Sequence, residues 1–488
     1  MLLTDEVLLN YQRCPRRPFL DIYQDTTLQD PEQEFLLKLR RESQVHIAAT
    51  LAGQNYKQLD SSARDWQARA KETELLMQQG VECIYRGMLL ISGSQQAELP
   101  TPTPTNELTL VSTPTLLVKQ PGASNFGNWM YEPVNIKLGQ RAKPEYRIVA
   151  AFQAQILAAV QGVWSQTSRL ILRQRNSYAV NLDNWVPRMQ AVLEECVQMQ
   201  LSRAEPEVFI SRQRCSLCHW HSYCYEIAQS QQHLSLIPGV TPTRYKHLQE
   251  LGLTTVESLA HASLDSLGDT IGFETAFRLR QQAQSVLENR AILKSASFNY
   301  PTIPTADVEF YFDIEAEPER DLNYLLGILV VNRPTKTEQF YPFMAENPEE
   351  EKRIWQDFFE LVLLYPDAPI FHFSDYEPET IKRLAKQYEI PPIQLDSVLS
   401  RLVDLHKRVT TSVTLPVENY SLKSLAKWLG FKWRDSEGSG AQSVCWYDQW
   451  LKTGDRALLE AISRYNEDDC RATYCLKDWL VGFLPDAQ

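Results

Sequence analysis

Two carboxylates stand two residues apart in the segment Val308-EFYFDIEAE: Asp313 and Glu315. The segment is rich in β-branched and aromatic residues and reads as a strand, with Leu325-LGILVVN as its hairpin partner. On a strand, residues i and i+2 share a face, so both acids point the same way. Two acids side by side repel and raise each other's pKa unless a cation lies between them. The pair suggests a divalent metal, although taken alone a solvated sheet edge is the plainer reading. Near the end of the chain, Arg456-ALLEAISRYNEDDCRATYCLKDWL reads as one long amphipathic helix. Tyr465 and Asp469 lie four apart and share a helical face, with Asp468 as the neighbouring competitor. Between these ends, Pro369-IFHFSDYEPETIKRLA reads as a short strand entering a helix, with His372, Asp375 and Glu377 at the junction. Asp404 and the segment Tyr420-SLKSLAKWLGF follow.

A second set of residues carries sulfur. Cys215, Cys218 and Cys224 form a C-x-x-C-x5-C cluster with His219 and His221 inside it, and Cys14 lies far away in Tyr11-QRCPRRPF. By spacing alone, zinc or a redox pair fits the C-x-x-C. Cys83, Cys196, Cys445, Cys470 and Cys475 read as ordinary buried cysteines.

The elements that must position these groups fall into three regions: 1–230, mixing helices with short strands; 231–295, helical; and 305–488, where apolar runs alternate with amphipathic helices in an α/β pattern. A Pro/Thr stretch from Leu99 to Glu107 reads as a surface loop, and another from Asn299 to Asp307 as a linker. The formal charge is −12, with 43% hydrophobic and 23% charged residues, the profile of an ordinary globular chain. Net charge bears on solubility rather than on one cleft. Local basic groups stand out at Arg13, Arg16 and Arg17, at Lys38, Arg40 and Arg41, and at Arg169, Arg173 and Arg175. The N-terminus lacks the apolar core of a secretory signal and no apolar run is long enough for a bilayer span, so a cytoplasmic protein without membrane contact is expected.

The order D-I-E, H-x-x-x-Y-E, Y-x-x-x-D resembles the three exonuclease motifs of the DnaQ-like DEDD superfamily in its tyrosine-containing branch. The Y-S-L-K-x-L segment is similar to the RNase H-like domain of YprB-type proteins. The resemblance implies an RNase H-like mixed-sheet α/β domain over about Val308–Phe483 and a 3′→5′ exonuclease hydrolysing phosphodiester bonds. Asp313, Glu315, Glu377 and Asp469 would hold two Mg²⁺ or Mn²⁺ ions that clamp the scissile phosphate, and Tyr465 would orient or deprotonate the attacking water. Glu377 stands where the family has Asp, which leaves Asp375 open as a substitute.

One N-terminal cysteine followed at a distance by C-x-x-C-x5-C is similar to the iron–sulfur staple of RecB-like nucleases, implying a 4Fe–4S cluster on Cys14, Cys215, Cys218 and Cys224, with Zn²⁺ as the alternative. That resemblance also implies a PD-(D/E)XK α/β fold, whose site needs an acid on one strand and acid-x-Lys on the next. Ser112-TPTLLVK and Tyr131-EPVNIKLG look like those strands, but Thr115 and Asn135 occupy the acid positions and only Lys137 is kept. Val149 and Gln153 stand where the following helix would carry Q-x-x-x-Y; His46 is the candidate upstream histidine, and Glu132 and Glu145 are candidate relocated acids. The site reads as degenerate. Pro238-Gly239-Val240 and Ile271-Gly272-Phe273 resemble the hairpins of a helix-hairpin-helix module, which contact phosphate through backbone N–H groups, with a plain helical spacer as the alternative. The chain as a whole resembles the RecB-like putative nuclease family that joins these three parts. It implies an α/β multidomain protein working on DNA or RNA, at single strands or 3′ ends, with a helicase as partner. The rival readings are a non-catalytic Fe–S nucleic-acid-binding protein and a nuclease with both sites active.

Overall fold

In the computed structural model the chain divides into two compact units, Met1–Tyr225 and Glu226–Gln488. The structure describes residues 1–60, 65–92, 108–174, 176–294, 302–317, 320–436 and 438–484. Arg175, the Pro/Thr stretch apart from Leu108 onward, and the first residues of the 299–307 linker lie outside the described residues. Among the described residues, no helix is long and apolar enough to cross a membrane.

The first unit opens with helices α1 (Asp5–Arg13) and α2 (Arg16–Tyr23), separated by Cys14. Its larger sheet has six strands. At the centre, β1 (Leu116–Ser124) pairs antiparallel with β2 (Gly127–Ile136), and β2 runs parallel to the strand Ser168–Ile171. Parallel neighbours need a crossover, and helix α3 (Pro144–Gln161) supplies it. This helix is apolar almost all round, with Ile148, Ala151, Phe152, Ile156 and Leu157 buried in the main core of the unit. Strand β1 starts only at Leu116, because Thr113-Pro114 breaks it from the preceding Thr109–Ser112 strand. Helix α4 (His221–Ser230) follows the cysteine-rich turn.

The second unit begins with four helices, α5 (Pro242–Glu250), α6 (Val256–Ala260), α7 (Leu264–Ile271) and α8 (Phe273–Glu288). The turn before α5 and the junction between α7 and α8 hold Gly239 and Gly272 at φ 89° and 83°, a region other residues enter only under strain. Helix α8 is fastened to the C-terminal part of its unit by buried amides. Gln282 donates to the Leu415 carbonyl at 2.6 Å and accepts from the Tyr420 hydroxyl at 2.8 Å, and Thr414 donates to Gln281 at 2.9 Å.

The C-terminal part is built on a five-stranded mixed sheet in the order β5-β4-β3-β6-β7, with β3 (Val308–Glu317), β4 (Leu322–Asn332), β5 (Thr337–Met344), β6 (Ile370–His372) and β7 (Leu402–Asp404). The first three strands are antiparallel; β6 and β7 join β3 in parallel. Strand β3 shows why the expected face assignment holds. Its even residues Phe310, Phe312 and Ile314 enter one core with Trp355 and Phe358 of α9 (Glu351–Leu364) and Ile381 and Leu384 of α10 (Tyr376–Gln387). Its odd residue Tyr311 enters the opposite core, with Leu405 and Val409 of α11 (Leu405–Ser412) and Cys470, Leu476 and Leu480 of the long C-terminal helix. Asp313 and Glu315 follow Tyr311 at period two and so face that helix. Two further helices, α12 (Leu422–Trp428) and α13 (Gly440–Thr453), precede it, and α14 (Arg456–Phe483) ends the chain.

One close approach locks α14 to the sheet. Gly327 of β4 lies opposite Asp313 in register, and a Cβ there would sit 1.6 Å from Oδ1 of Asn466. Only glycine admits the helix at that height. The other end of α14 is pinned by charge: Lys477, almost fully buried, donates to Glu309 at 2.7 Å, and Arg333 binds the same carboxylate and the exposed Asp478. Removing one member of a buried ion group leaves its partners desolvated and unpaired, a loss of about 3–5 kcal/mol. Glu309→Ala is therefore expected to destabilise the second unit by about that amount in urea unfolding. A loss under about 1 kcal/mol, the range of exposed pairs, would mean that the group is effectively solvated.

Candidate metal centre

The carboxylates of Asp313, Glu315 and Asp469 each offer an oxygen within 4.8 Å of the others, the one such group of three or more metal-ligating side chains among the described residues. Asp313 and Asp469 keep an edge open to solvent, and Glu315 is buried. Each element contributes by its periodicity: β3 gives two acids from one face, and α14 gives Asp469 and, one turn earlier, Tyr465. A bulge between Glu315 and Ala316 ends the regular register just past the second acid.

Burial pushes the Asp313 carboxyl well above the usual carboxylate range, with Asp469, Glu315 and Glu377 pushing in the same direction. Glu315 is raised in the same way by burial and then by Asp469. Asp469 is pushed up to about 6 by burial, opposed by hydrogen bonds from Trp433 and Tyr465 and by the charge of Lys423. Such a cluster is costly without a cation and suits hard divalent metals, which take oxygen ligands.

A ring of donors orients the acids. The Asn466 amide donates to Asp313 at 2.7 Å, and the Trp433 indole N–H donates to Asp469 at 2.7 Å. Ser443 of α13 bonds Glu315 and also meets the Tyr324 hydroxyl at 2.9 Å. Lys423 of α12 donates to the Gly438 carbonyl at 2.6 Å. The Tyr465 phenol bonds Asp469; burial and then the nearby Asp469, Glu315 and Asp313 push it far up. None of the four donors Asn466, Trp433, Ser443 and Lys423 was singled out by the sequence reading. The position of Lys423 in Tyr420-SLK was the only available signal, because Trp433 comes from irregular chain and Ser443 from a helix without a motif.

The structure separates Asp469 from its competitor. Asp468 is buried against Arg434, whose Nε and backbone N–H both donate to it at 2.8 Å. At the second motif, Glu377 is buried in the first turn of α10, 3.5 Å from Nδ1 of His372, while Asp375 is exposed at the helix N-cap. Burial raises Glu377, and Asp404, aligned with His372 in register, adds to the effect. Ser374, just ahead, has φ 110°, a strained backbone for a non-glycine residue.

The cysteines are gathered but not closed around a point. All nine are free. Cys14 follows α1, Cys215 and Cys218 flank a turn, and Cys224 lies on α4. The charge of Cys14 is felt at Cys215, Cys218 and Cys224. A zinc tetrahedron with bonds of about 2.3 Å would hold its sulfurs roughly 3.8 Å apart, and no three of these four sulfurs lie within 4.8 Å of one another. Each of the three later cysteines has an arginine beside it: Arg214 at Cys215, Arg17 at Cys218 and Arg16 at Cys224. His219 is bound through Nε2 to Asp21 at 2.7 Å, and His221 stacks on Tyr225.

In the first unit, the Asn135 amide donates to Gln153 at 2.5 Å, and Gln153 donates to Asp5 at 3.0 Å. The Thr115 hydroxyl accepts from the Ile136 N–H at 3.3 Å. Glu132 is held by Arg169 and Thr167, and Glu145 lies 3.9 Å from Arg13. Val149 is buried, and His46 lies half-buried on the helix Glu34–Leu51.

The raised acids have a consequence for stability. Their unfolded pKa values are about 4, so between there and the folded values the native metal-free state holds more protons, and its stability falls as pH rises. The contribution is present below about pH 4 and is lost through about 6 for Asp469, and higher for Asp313 and Glu315. Asp313→Asn is expected to stabilise the metal-free protein at pH 7.5, because it removes one of the acids that burial and repulsion hold above the usual range. The gain should vanish near pH 4, and Mn²⁺ should raise the melting temperature of the native chain but not of the variant. Thermal melts across pH in EDTA and in Mn²⁺ test this. A variant no more stable than the parent at any pH would show that the carboxylates do not repel.

Comparison with known proteins matches one part of the chain. No curated protein matches the chain. Residues 310–481 match the family model RNase_H_2 of the RNase H superfamily, a span that contains Asp313, Glu315, Glu377, Tyr465 and Asp469. The C-terminal part of this chain is an RNase H-like domain, of a superfamily of generally metal-dependent nucleases acting on nucleic acids.

Proposed function

We propose that the protein is a 3′→5′ exonuclease working through its RNase H-like domain, with the first unit gripping nucleic acid. The observation that carries this reading is the convergence of Asp313, Glu315 and Asp469 on one point, with Tyr465 bonded to Asp469. Asp313, Glu315, Glu377 and Asp469 would hold two Mg²⁺ or Mn²⁺ ions. When bound, these ions supply Lewis acidity at the phosphate and a more acidic water. Asn466 and Trp433 keep Asp313 and Asp469 aimed, and Tyr465 orients the water at the edge left open to solvent. Hydrolysis forms a bond from the water oxygen to phosphorus and breaks the bond to the 3′-oxygen. It leaves a shortened strand with a 3′-hydroxyl and a free nucleotide 5′-phosphate.

End-labelled single-stranded DNA and RNA, incubated in Mn²⁺ with the anaerobically purified chain, should shorten from the 3′ end. Asp313→Ala should slow this by at least ~100-fold, the scale of losing one group that stabilises transition-state charge. Oligonucleotide that binds but is never cut, under any metal, would sink the exonuclease and leave the binding-protein reading, which the burial of Glu377 against His372 favours.

For Cys14, Cys215, Cys218 and Cys224 we favour a 4Fe–4S cluster over Zn²⁺. Burial pushes the three later thiols up, and an arginine beside each opposes this and favours the thiolate that such a cluster takes from four cysteines. Iron and acid-labile sulfide should be found in the anaerobic protein and be lost in Cys218→Ser; stoichiometric zinc without iron would overturn the assignment. The positive-φ turns at Gly239 and Gly272 support phosphate contacts by the helical segment.

A further inference from the structure

Outside the acidic site, a corner of the first unit gathers several cations. The loop 137–143, KLGQRAK, leaves β2 and enters α3 at Pro144. The ammonium of Lys137 lies 5.5 Å from the ring of Tyr146, in the first turn of α3, and that of the exposed Lys143 lies 5.9 Å from the same ring. One aromatic face thus gathers two cations. Arg13, on α1, is close enough for its charge to act on Lys137. Lys143 is also the N-cap of the 18-residue helix α3 and offers it no side-chain cap, so the helix adds the partial positive charge of its N-terminus.

The neighbouring anions offset part of this charge. Asp5 attracts Lys137 more than Arg13 repels it, and its Oδ2 also accepts from the Thr113 N–H at 3.0 Å, the Gln153 amide at 3.0 Å and the Ser112 hydroxyl at 3.4 Å. Glu145 faces Arg13 at 3.9 Å, the outer limit of an ion pair. Among the described residues, Lys137 itself makes no ion pair within 4.0 Å, although it is largely shielded from solvent and burial pushes its ammonium down. The three cations Lys137, Lys143 and Arg13 outnumber the two facing anions, Asp5 and Glu145, which leaves the corner a positive excess. The floor of the corner lacks the acids of a metal site: Thr115 and Asn135 are bonded internally to Ile136 and Gln153, and Gln153 to Asp5. Nothing there holds a metal, and what remains attracts an anion.

We propose that this corner is a metal-free phosphate grip in which Lys137, Lys143 and Arg13, with Tyr146 as the positioning residue, hold the sugar-phosphate backbone of a nucleic-acid strand. The proposal rests on the reading that the first unit binds nucleic acid, and it assigns that binding to named side chains. The contact is to backbone phosphate, so it should be independent of base sequence and sensitive to salt.

The test uses full-length Asp313→Asn in EDTA, which separates binding from cleavage. Affinity for short fluorescein-labelled single-stranded DNA, single-stranded RNA and duplex DNA of one sequence is measured over a salt series. Lys137→Ala and Lys143→Ala should each weaken binding and make the slope of log K against log salt shallower by roughly 0.7 on a single strand, one phosphate contact. Lys137→Arg should keep the slope, and so should Lys71→Ala, an exposed control on the helix Trp66–Gln78. Unchanged slopes in both alanine variants, with unfolding midpoints equal to the parent, would overturn the grip. If Lys137→Ala fails to fold, the exposed Lys143 decides alone. The DNA and RNA arms tell which backbone is held. Cleavage in Mn²⁺ by the native chain is read separately. A lost slope without cleavage sinks the exonuclease and keeps the grip; cleavage with unchanged slopes does the reverse.

Discussion

Repulsion between carboxylates on one strand face is the constraint around which the C-terminal part is organised. Asp313 and Glu315 cannot separate, because the two-residue period of β3 is enforced by Phe310, Phe312 and Ile314 in the opposite core. A one-residue slip would send the acids into that core and the aromatics out. Helix α14 then brings a third acid, Asp469, to the same point, adding to the repulsion. A fold that selection shaped for stability alone would avoid this arrangement. Packing elsewhere must outweigh it, and buried apolar surface on both faces of the sheet does so, at roughly 25 cal/mol per Å².

The position of α14 is over-determined in a way that fits this strain. Near the acids, Asn466 rests where only Gly327 leaves room and spends its amide on Asp313. At the far end, Lys477 and Arg333 converge on Glu309, a buried cluster with its charges matched. The two ends behave oppositely. Opposite charges hold the helix down at Lys477, and like charges push against it at Asp469. The matched charges at Lys477 and the Asn466 amide thus hold the helix against the repulsion at Asp469.

The legibility of this site followed its periodicity. The strand pattern of 308–317, the pair Asp313 and Glu315, and the i, i+4 pair Tyr465 and Asp469 were all readable, because each is fixed by a local repeat distance. The choice between Asp468 and Asp469 was not, since adjacent helical residues differ only in what meets them, here Arg434 and Trp433. The donors were invisible for the same reason. Trp433 belongs to no regular element, and Ser443 reaches Glu315 only through the packing of α13. At the second motif the order of residues left Asp375 and Glu377 open. The turn of the chain at Ser374 exposes the first and buries the second. In the first unit, the sequence revealed that Thr115 and Asn135 are not acids, but not that Asn135, Gln153 and Asp5 form a chain that uses up the neighbouring carboxylate.

A chain of net charge −12 meets a polyanion unfavourably as a whole, so any grip on nucleic acid must be local. Screening makes this workable. At physiological salt the Debye length is about 8 Å, so charges farther away than the immediate neighbourhood of a phosphate count for little. What matters is whether nearby cations are already neutralised. Arg16 is spent on Glu205, Arg40 on Glu32 and Arg169 on Glu132, and each loses most of its pull on an outside anion. Lys137 and Lys143 are instead held by an aromatic ring, which fixes an ammonium without cancelling its charge. A cation positioned by a π face rather than by a carboxylate therefore stays available to an incoming phosphate.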